Sequence, residues 1–233
     1  MDVVNAFGQP VGTPLGSWQP PPEPDGRRLS GRAVELVVFD AEAHIADLFG
    51  AFASAGDGLW TYMPWGPFAS PEELDETFTE VAARPDWLTY SLLVEGRAIG
   101  VSSYLRIDSG GGVIEIGGIT YSPPLQRTVA STEASYLMIR HAIELGYRRV
   151  EWKCDRLNAA SQAAARRLGF SFEGTFHKAT HYKGRNRDTA WFAIVDDEWP
   201  RIDHEFQRWL APSNFDEQGA QRTPLRARYQ ARS

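Results

Sequence analysis

The chain is poor in cysteine: Cys154 is the only one in 233 residues. An intrachain disulfide is therefore impossible, and a zinc site built from several cysteines is excluded. Histidine is also scarce, with five residues, and His177 and His181 show no metal-ligand spacing. No metal is expected. No run of about 18 apolar residues occurs, so nothing reads as a membrane span. Met1 to Pro10 lacks a basic start followed by an apolar stretch, so no secretory signal is expected. Positive charge is not in excess either. The formal net charge is −6, which argues against a nucleic-acid-binding face. These absences predict a soluble cytoplasmic protein, monomer or homodimer, whose partners are neither nucleic acid nor membrane.

Apolar residues make up 42% of the chain, enough for a sizeable core. Residues Pro10 to Pro24 are dense in Pro and Gly, which predicts an extended N-terminal arm over residues 1–30. One domain is expected over 31–211, and a polar, mildly basic tail over 212–233 that frays. Within the domain, Val34 to Phe39 reads as a strand. Asp40 then caps a helix to about Ala55, and Ser70-Pro71-Glu72-Glu73 starts a second helix ending near Ala83. Trp87 to Val94, Ala98 to Ile107 and Val113 to Tyr121 read as an antiparallel meander. A helix, the strand Arg149 to Asp155, and a helix capped by Asn158 follow. Two strands, Phe170 to Phe176 and Asp188 to Val195, and a helix from Glu198 to Leu210 close the domain. That order predicts an α/β chain of the mixed α+β kind, with a mixed sheet covered by helices.

Two segments carry chemistry. Leu125 to Ala134 lies between a strand and a helix. Free backbone N–H groups at a helix start attract phosphate oxygens. Arg127 adds a charge there, and Thr128, Ser131 and Thr132 add hydroxyls. Asn158-Ala159-Ala160-Ser161 puts an amide and a hydroxyl on the first turn of the next helix, which runs to Leu168-Gly169-Phe170. On the strand before these, Glu115 alternates with Ile114 and Ile116. A carboxylate on a partly buried strand has its pKa raised and suits proton removal from an ammonium. Equally, it suits a structural role paired with a cation.

Taken together, Ile114-Glu115-Ile116-Gly117, Gln126 to Ala134, Asn158-x-x-Ser161, Leu168-Gly169-Phe170, the aromatic stretch Trp60 to Phe68 and the turn Lys183 to Asp188 resemble the GNAT superfamily of N-acetyltransferases. Within it they resemble the RimJ/RimL type that acetylates ribosomal-protein N-termini. The resemblance implies the GNAT fold: a mostly antiparallel mixed sheet with helices on both faces and a V-shaped splay between the fourth and fifth strands. It implies acetyl-CoA as co-substrate and a primary amine as acceptor, with direct attack and no covalent enzyme intermediate. The pyrophosphate would rest on Gln126, Arg127, Thr128, Val129, Ala130, Ser131 and Thr132. Backbone N–H groups near Ile119, Thr120 and Tyr121 would hold the pantetheine and polarise the thioester carbonyl. Asn158 would also bind the coenzyme, and Ser161 would donate to the departing thiolate. The chain departs from the family pattern twice. Val129 and Ser131 stand where small residues are usual, and Ala165 stands where many members carry a tyrosine acid.

The acceptor is left open between a protein N-terminus and a small-molecule amine. Trp60, Tyr62 and Trp65 are expected on a substrate cleft wall, the other reading being core packing. Arg185 is a candidate for gripping an anionic group of the acceptor. The rival to an enzyme is a catalytically weak acyl-CoA-binding module.

Overall fold

In a computed structural model, residues 3–227 are described. The main sheet has eight strands: β3 (Leu29–Ser30), β4 (Glu35–Val38), β5 (Trp87–Val94), β6 (Arg97–Asp108), β7 (Val113–Tyr121), β8 (Arg149–Asp155), β9 (Ser171–Tyr182) and β10 (Arg185–Val195). Their spatial order is β3-β4-β5-β6-β7-β8-β10-β9. All neighbours run antiparallel except β7 and β8, which are parallel. The sheet is therefore mixed and mostly antiparallel.

Five helices cover it: α1 (Ala41–Ala53), α2 (Pro71–Ala82), α3 (Val129–Leu145), α4 (Ala159–Arg167) and α5 (Trp199–Leu210). Each of the first four starts on a side-chain cap. Asp40 accepts from the Ala43 N–H, Ser70 from Glu73, Thr128 from Ser131 and Asn158 from Ser161. The core divides in two. Residues of α3, α4 and α5 pack with Tyr104, Ile114, Ile116, Val150 and Trp152 on one face. Residues of α1 and α2 pack with Trp60, Ala98 and Val101 on the other. Strand periodicity produces this split, because successive side chains point to opposite faces.

Three expectations need correction. The arm is not wholly extended: β1 (Val3–Val4) and β2 (Pro10–Val11) form a small hairpin. The β9–β10 hairpin is longer than predicted, because Lys183 and Gly184 turn it tightly with φ 49° and 68°. The tail after Pro212 does not fray as far as residue 227. Asn214 binds the Trp209 and Thr223 carbonyls, and Leu225 and Ala227 are buried. Apolar side chains within that polar segment anchor it; the expected tail beyond 227 lies outside the described residues. Among the described residues no helix is long and apolar enough to cross a membrane.

Candidate active site

Pairing between β7 and β8 covers only Val113↔Arg149, Ile114↔Val150 and Glu115↔Glu151. Beyond Glu115 the edge of β7 that faces β8 has no strand partner among the described residues, so its amide groups are open. The two strands are parallel, so both point towards the open end of the gap. Residues 122–128 leave β7 there for α3, and residues 156–158 leave β8 there for α4. The two segments singled out in the sequence therefore lie at one end of the same splay, where open α/β sheets bind ligands.

β7 carries a bulge inside this gap. Its register with β6 gains one residue between Gly117 and Thr120, and Gly118 takes φ 59°. Only glycine adopts that angle cheaply, and a bulge re-aims the following amides. A Cβ at Gly117 would come within 2.7 Å of Leu105 Cδ2. Ile119 and Tyr121 pack half-buried against the α3 side of the core, and Thr120 is buried. The Tyr121 hydroxyl is buried and its pKa is pushed up to about 12 by burial.

At the start of α3 the hydroxyls turn inward. The Thr128 N–H donates to Ser131 Oγ at 3.2 Å, Ser131 N–H to Thr128 Oγ1 at 3.1 Å, and Thr128 Oγ1 to the Leu125 carbonyl at 2.6 Å. Thr132 Oγ1 donates to the Thr128 carbonyl and accepts from Arg167. Gln126 Nε2 donates to the Tyr121 carbonyl at 2.8 Å. These side chains shape the loop rather than face a ligand as free hydroxyl donors. The backbone N–H groups of Arg127, Val129 and Ala130, in contrast, have no hydrogen-bond partner among the described residues. Arg127 takes φ 61°, and Val129 is simply the first residue of α3. Its side chain therefore needs no left-handed backbone. A cleft of about 740 Å³ reaches Val129 and Ala130 from the β5 side.

At the start of α4, Ser161 Oγ accepts from Trp152 Nε1 at 3.0 Å, so its own proton is turned to another acceptor, with the Cys154 sulfur in reach. Burial raises the pKa of the neighbouring Cys154 thiol, and a hydrogen bond from Ser161 opposes that. Ala165 is fully buried in the core.

Glu115 lies at the closed end of the gap. Its Oε2 takes Lys153 Nζ at 2.8 Å and lies 3.5 Å from Arg106 Nε, while Oε1 has no hydrogen bond among the described residues and faces Gly117. Burial raises its pKa, and Lys153 partly offsets this. Lys153 also meets Glu151 at 2.6 Å, and Arg149 joins Glu151 to Glu173. The carboxylate is thus both paired and open on one oxygen.

The substrate candidates divide. The Trp60 ring is buried edge-on against Phe52 and Phe68, so it is core rather than cleft wall. Trp65 is half-buried against Phe78 and Trp87. Tyr62 OH reaches the Leu157 carbonyl at 3.1 Å. Arg185 is exposed on the hairpin. Sequence reasoning missed Lys183, Tyr182 and Asp155 here. Lys183 Nζ donates to the Trp60 carbonyl at 2.8 Å, joining the hairpin tip to the aromatic loop. Tyr182 OH donates to Asp155 Oδ2 at 2.7 Å at the end of β8. Charged residues alternating at 151, 153 and 155 were the available signal. No group of three or more metal-ligating side chains occurs among the described residues.

Residues 34–171 match the acetyltransferase (GNAT) domain family. The chain belongs to that GNAT family. A GCN5-related N-acetyltransferase from Brucella melitensis is similar at 39% identity, covering 91% of this chain and 97% of that one, with a TM-score of 0.88. A GNAT-family structure from Chromobacterium violaceum is 40% identical over 82% of this chain and 98% of that one, TM-score 0.79. A Salmonella typhimurium acetyltransferase that modifies the N-terminal serine of ribosomal protein L7/L12 shares the fold at 22% identity. It covers 72% of this chain and 99% of that one, with a TM-score of 0.64. No curated protein matches the chain. This GNAT domain is thus one whose family chemistry is acetyl transfer, with the RimL structures among those sharing its fold.

Proposed function

We propose that this GNAT protein transfers an acetyl group from acetyl-CoA directly to a primary amine within a ternary complex in the cytoplasm. The acceptor is a protein N-terminus or a small-molecule amine. One observation carries the reading: β7 and β8 part company after Glu115↔Glu151, with the starts of α3 and α4 at the open end. The fit to the coenzyme rests on the open amide edge of β7 and the unbonded N–H groups of Arg127, Val129 and Ala130. Amides of a pantetheine arm need the first, and phosphate oxygens need the second. A RimL structure in complex with coenzyme A shares this fold at 22% identity.

Acetyl-CoA supplies an acyl group already activated as a thioester. The chain's own groups do the rest. Amides after the Gly118 bulge, from Ile119 to Tyr121, hold and polarise the carbonyl. Glu115 takes a proton from the incoming ammonium through Oε1, while Lys153 and Arg106 hold Oε2. Ser161, accepting from Trp152, gives its proton towards the departing sulfur. Tyr62, Trp65 and Arg185 border the acceptor side. A weak acyl-CoA-binding module is the second reading, favoured by the buried Ala165 in place of a tyrosine.

The test measures thiol release from acetyl-CoA over a panel of amines, for the wild type and for Asn158→Ala with Ser161→Ala. The double variant should lose about 10²-fold in kcat and about 1 kcal/mol of stability from the lost cap. Unchanged kinetics would remove both residues from the site. Binding of the coenzyme without turnover for every amine would favour the second reading.

A further inference from the structure

One partly buried cation has no role in the scheme above. Arg167, the last residue of α4, is half-buried. Its Nη1 donates to Thr132 Oγ1 at 3.0 Å, and its Cζ lies 5.0 Å from the centre of the Trp209 ring. It has no carboxylate partner among the described residues; burial alone acts on its pKa, lowering it. The comparably buried Arg149 is engaged by both Glu151 and Glu173. A guanidinium removed from water without a counter-charge is costly, and it carries five N–H donors of which one is used here. Thr132 belongs to the first turn of α3, two residues after Ala130, which with Val129 carries an unbonded N–H group.

The ring beneath Arg167 is itself fixed by the docked C-terminal segment. Trp209 Nε1 donates to Gln221 Oε1 at 2.7 Å, and Phe215 packs edge-on against the indole at 5.4 Å. Residues 212–227 thus hold Trp209, Trp209 and Thr132 hold Arg167, and Arg167 keeps its remaining donors at the junction of α3 and α4.

We propose that Arg167 binds a phosphate group at the nucleotide end of coenzyme A, held in position by Trp209 and the docked segment 212–227. The inference rests on the acetyl-CoA reading and assigns a counter-ion within it. A phosphate there comes either from the ribose monoester or from the diphosphate, and a planar guanidinium suits both.

Isothermal titration of the full chain with coenzyme A, and with dephospho-coenzyme A that lacks the monoester, tests it. Arg167→Gln should weaken coenzyme A binding by about 10- to 100-fold. Weakening confined to coenzyme A assigns the monoester; equal weakening of both ligands assigns the diphosphate. Unchanged affinity for both, in a variant that melts like the wild type, overturns the proposal and leaves the enzyme reading standing. A wild type that binds neither ligand overturns the enzyme reading and the proposal with it. Arg167→Lys keeps the charge and loses the fork, so it should bind several-fold more weakly. If Arg167→Gln does not fold, undiminished affinity in Arg167→Lys overturns the assignment.

Discussion

Replacing Lys153 with methionine should be among the most destabilising single changes in this domain. Its ammonium sits 2.8 Å from Glu115 and 2.6 Å from Glu151, and lies 3.7 Å from the centre of the Trp191 ring. The lysine side chain is 7% exposed and both carboxylates 8%. Methionine fills much of the same space, so packing loss is small. What remains is two buried carboxylates that had shared one cation, with Arg106 at 3.5 Å from one and Arg149 at 2.8 Å from the other. Removing one partner of a buried pair costs about 3–5 kcal/mol, a large share of a typical stability of about 5–15 kcal/mol. The cost must also depend on pH. Burial already holds the Glu115 carboxyl above its ordinary value against the opposing pull of Lys153, and losing Lys153 raises it further. A carboxyl raised in the folded state is neutral and harmless below its unfolded pKa. Its penalty grows as pH rises through the folded value. Urea unfolding of wild type and Lys153→Met at pH 7.5 and pH 5 should therefore show a larger gap at pH 7.5. Adding Glu115→Gln should recover part of the loss. A cost under about 1 kcal/mol at pH 7.5, or one that widens on acidification, would refute the reasoning.

Glu115→Gln alone should slow acetyl transfer about 10²-fold at neutral pH and less at alkaline pH, where the acceptor amine is already free. A constant ratio across pH would leave Glu115 as structure only. Deleting the chain after Ala211 removes the buried Leu225 and Ala227 and the bond from Trp209 to Gln221. At about 2 kcal/mol or more, the melting temperature should drop by about 5 °C. An unchanged melting curve would show that the segment contributes nothing to stability.

The fold was legible where local signals agreed. β5, β7 and β8 occupy the predicted ranges, because each is rich in apolar and aromatic residues between clear turn signals. α4 was legible from its cap, Asn158, whereas the Thr128 cap of α3 emerged only in the structure. The extension of β9 to Tyr182 was hidden, because His177, Lys178, Thr180 and His181 are exposed on an edge strand and show no burial pattern. The docked tail was hidden for a related reason. Its anchoring residues, Phe215 and Leu225, stand alone in polar sequence, and the surface they need, Trp209 of α5 and Arg32 among it, is assembled only by folding. At the site, positions were readable and partners were not. The first turn of α3 was rightly placed, yet its hydroxyls bond one another, a choice made by capping geometry rather than composition. Lys153 drew no attention in the sequence, since its meaning lies in two glutamates brought together by strand pairing.

That pairing also explains where the gap opens. Continuing the register past Glu115↔Glu151 would set Trp152 opposite Ile116 and Lys153 opposite Gly117. Gly117 offers no side chain to cover Lys153, which turns back to the two glutamates behind it. Gly118 then bulges, and a bulge adds twist and disrupts the local ladder. The closed end is thus pinned by charge while the open end is released by two glycines. Cofactor affinity and domain stability should respond to different substitutions: Lys153 governs the pin, and Gly118 the opening. A bulky residue at 118 would have to take φ 59° with its Cβ 3.2 Å from the Trp87 ring. β7 would then straighten towards β8, and the loss would fall on coenzyme binding before it fell on folding.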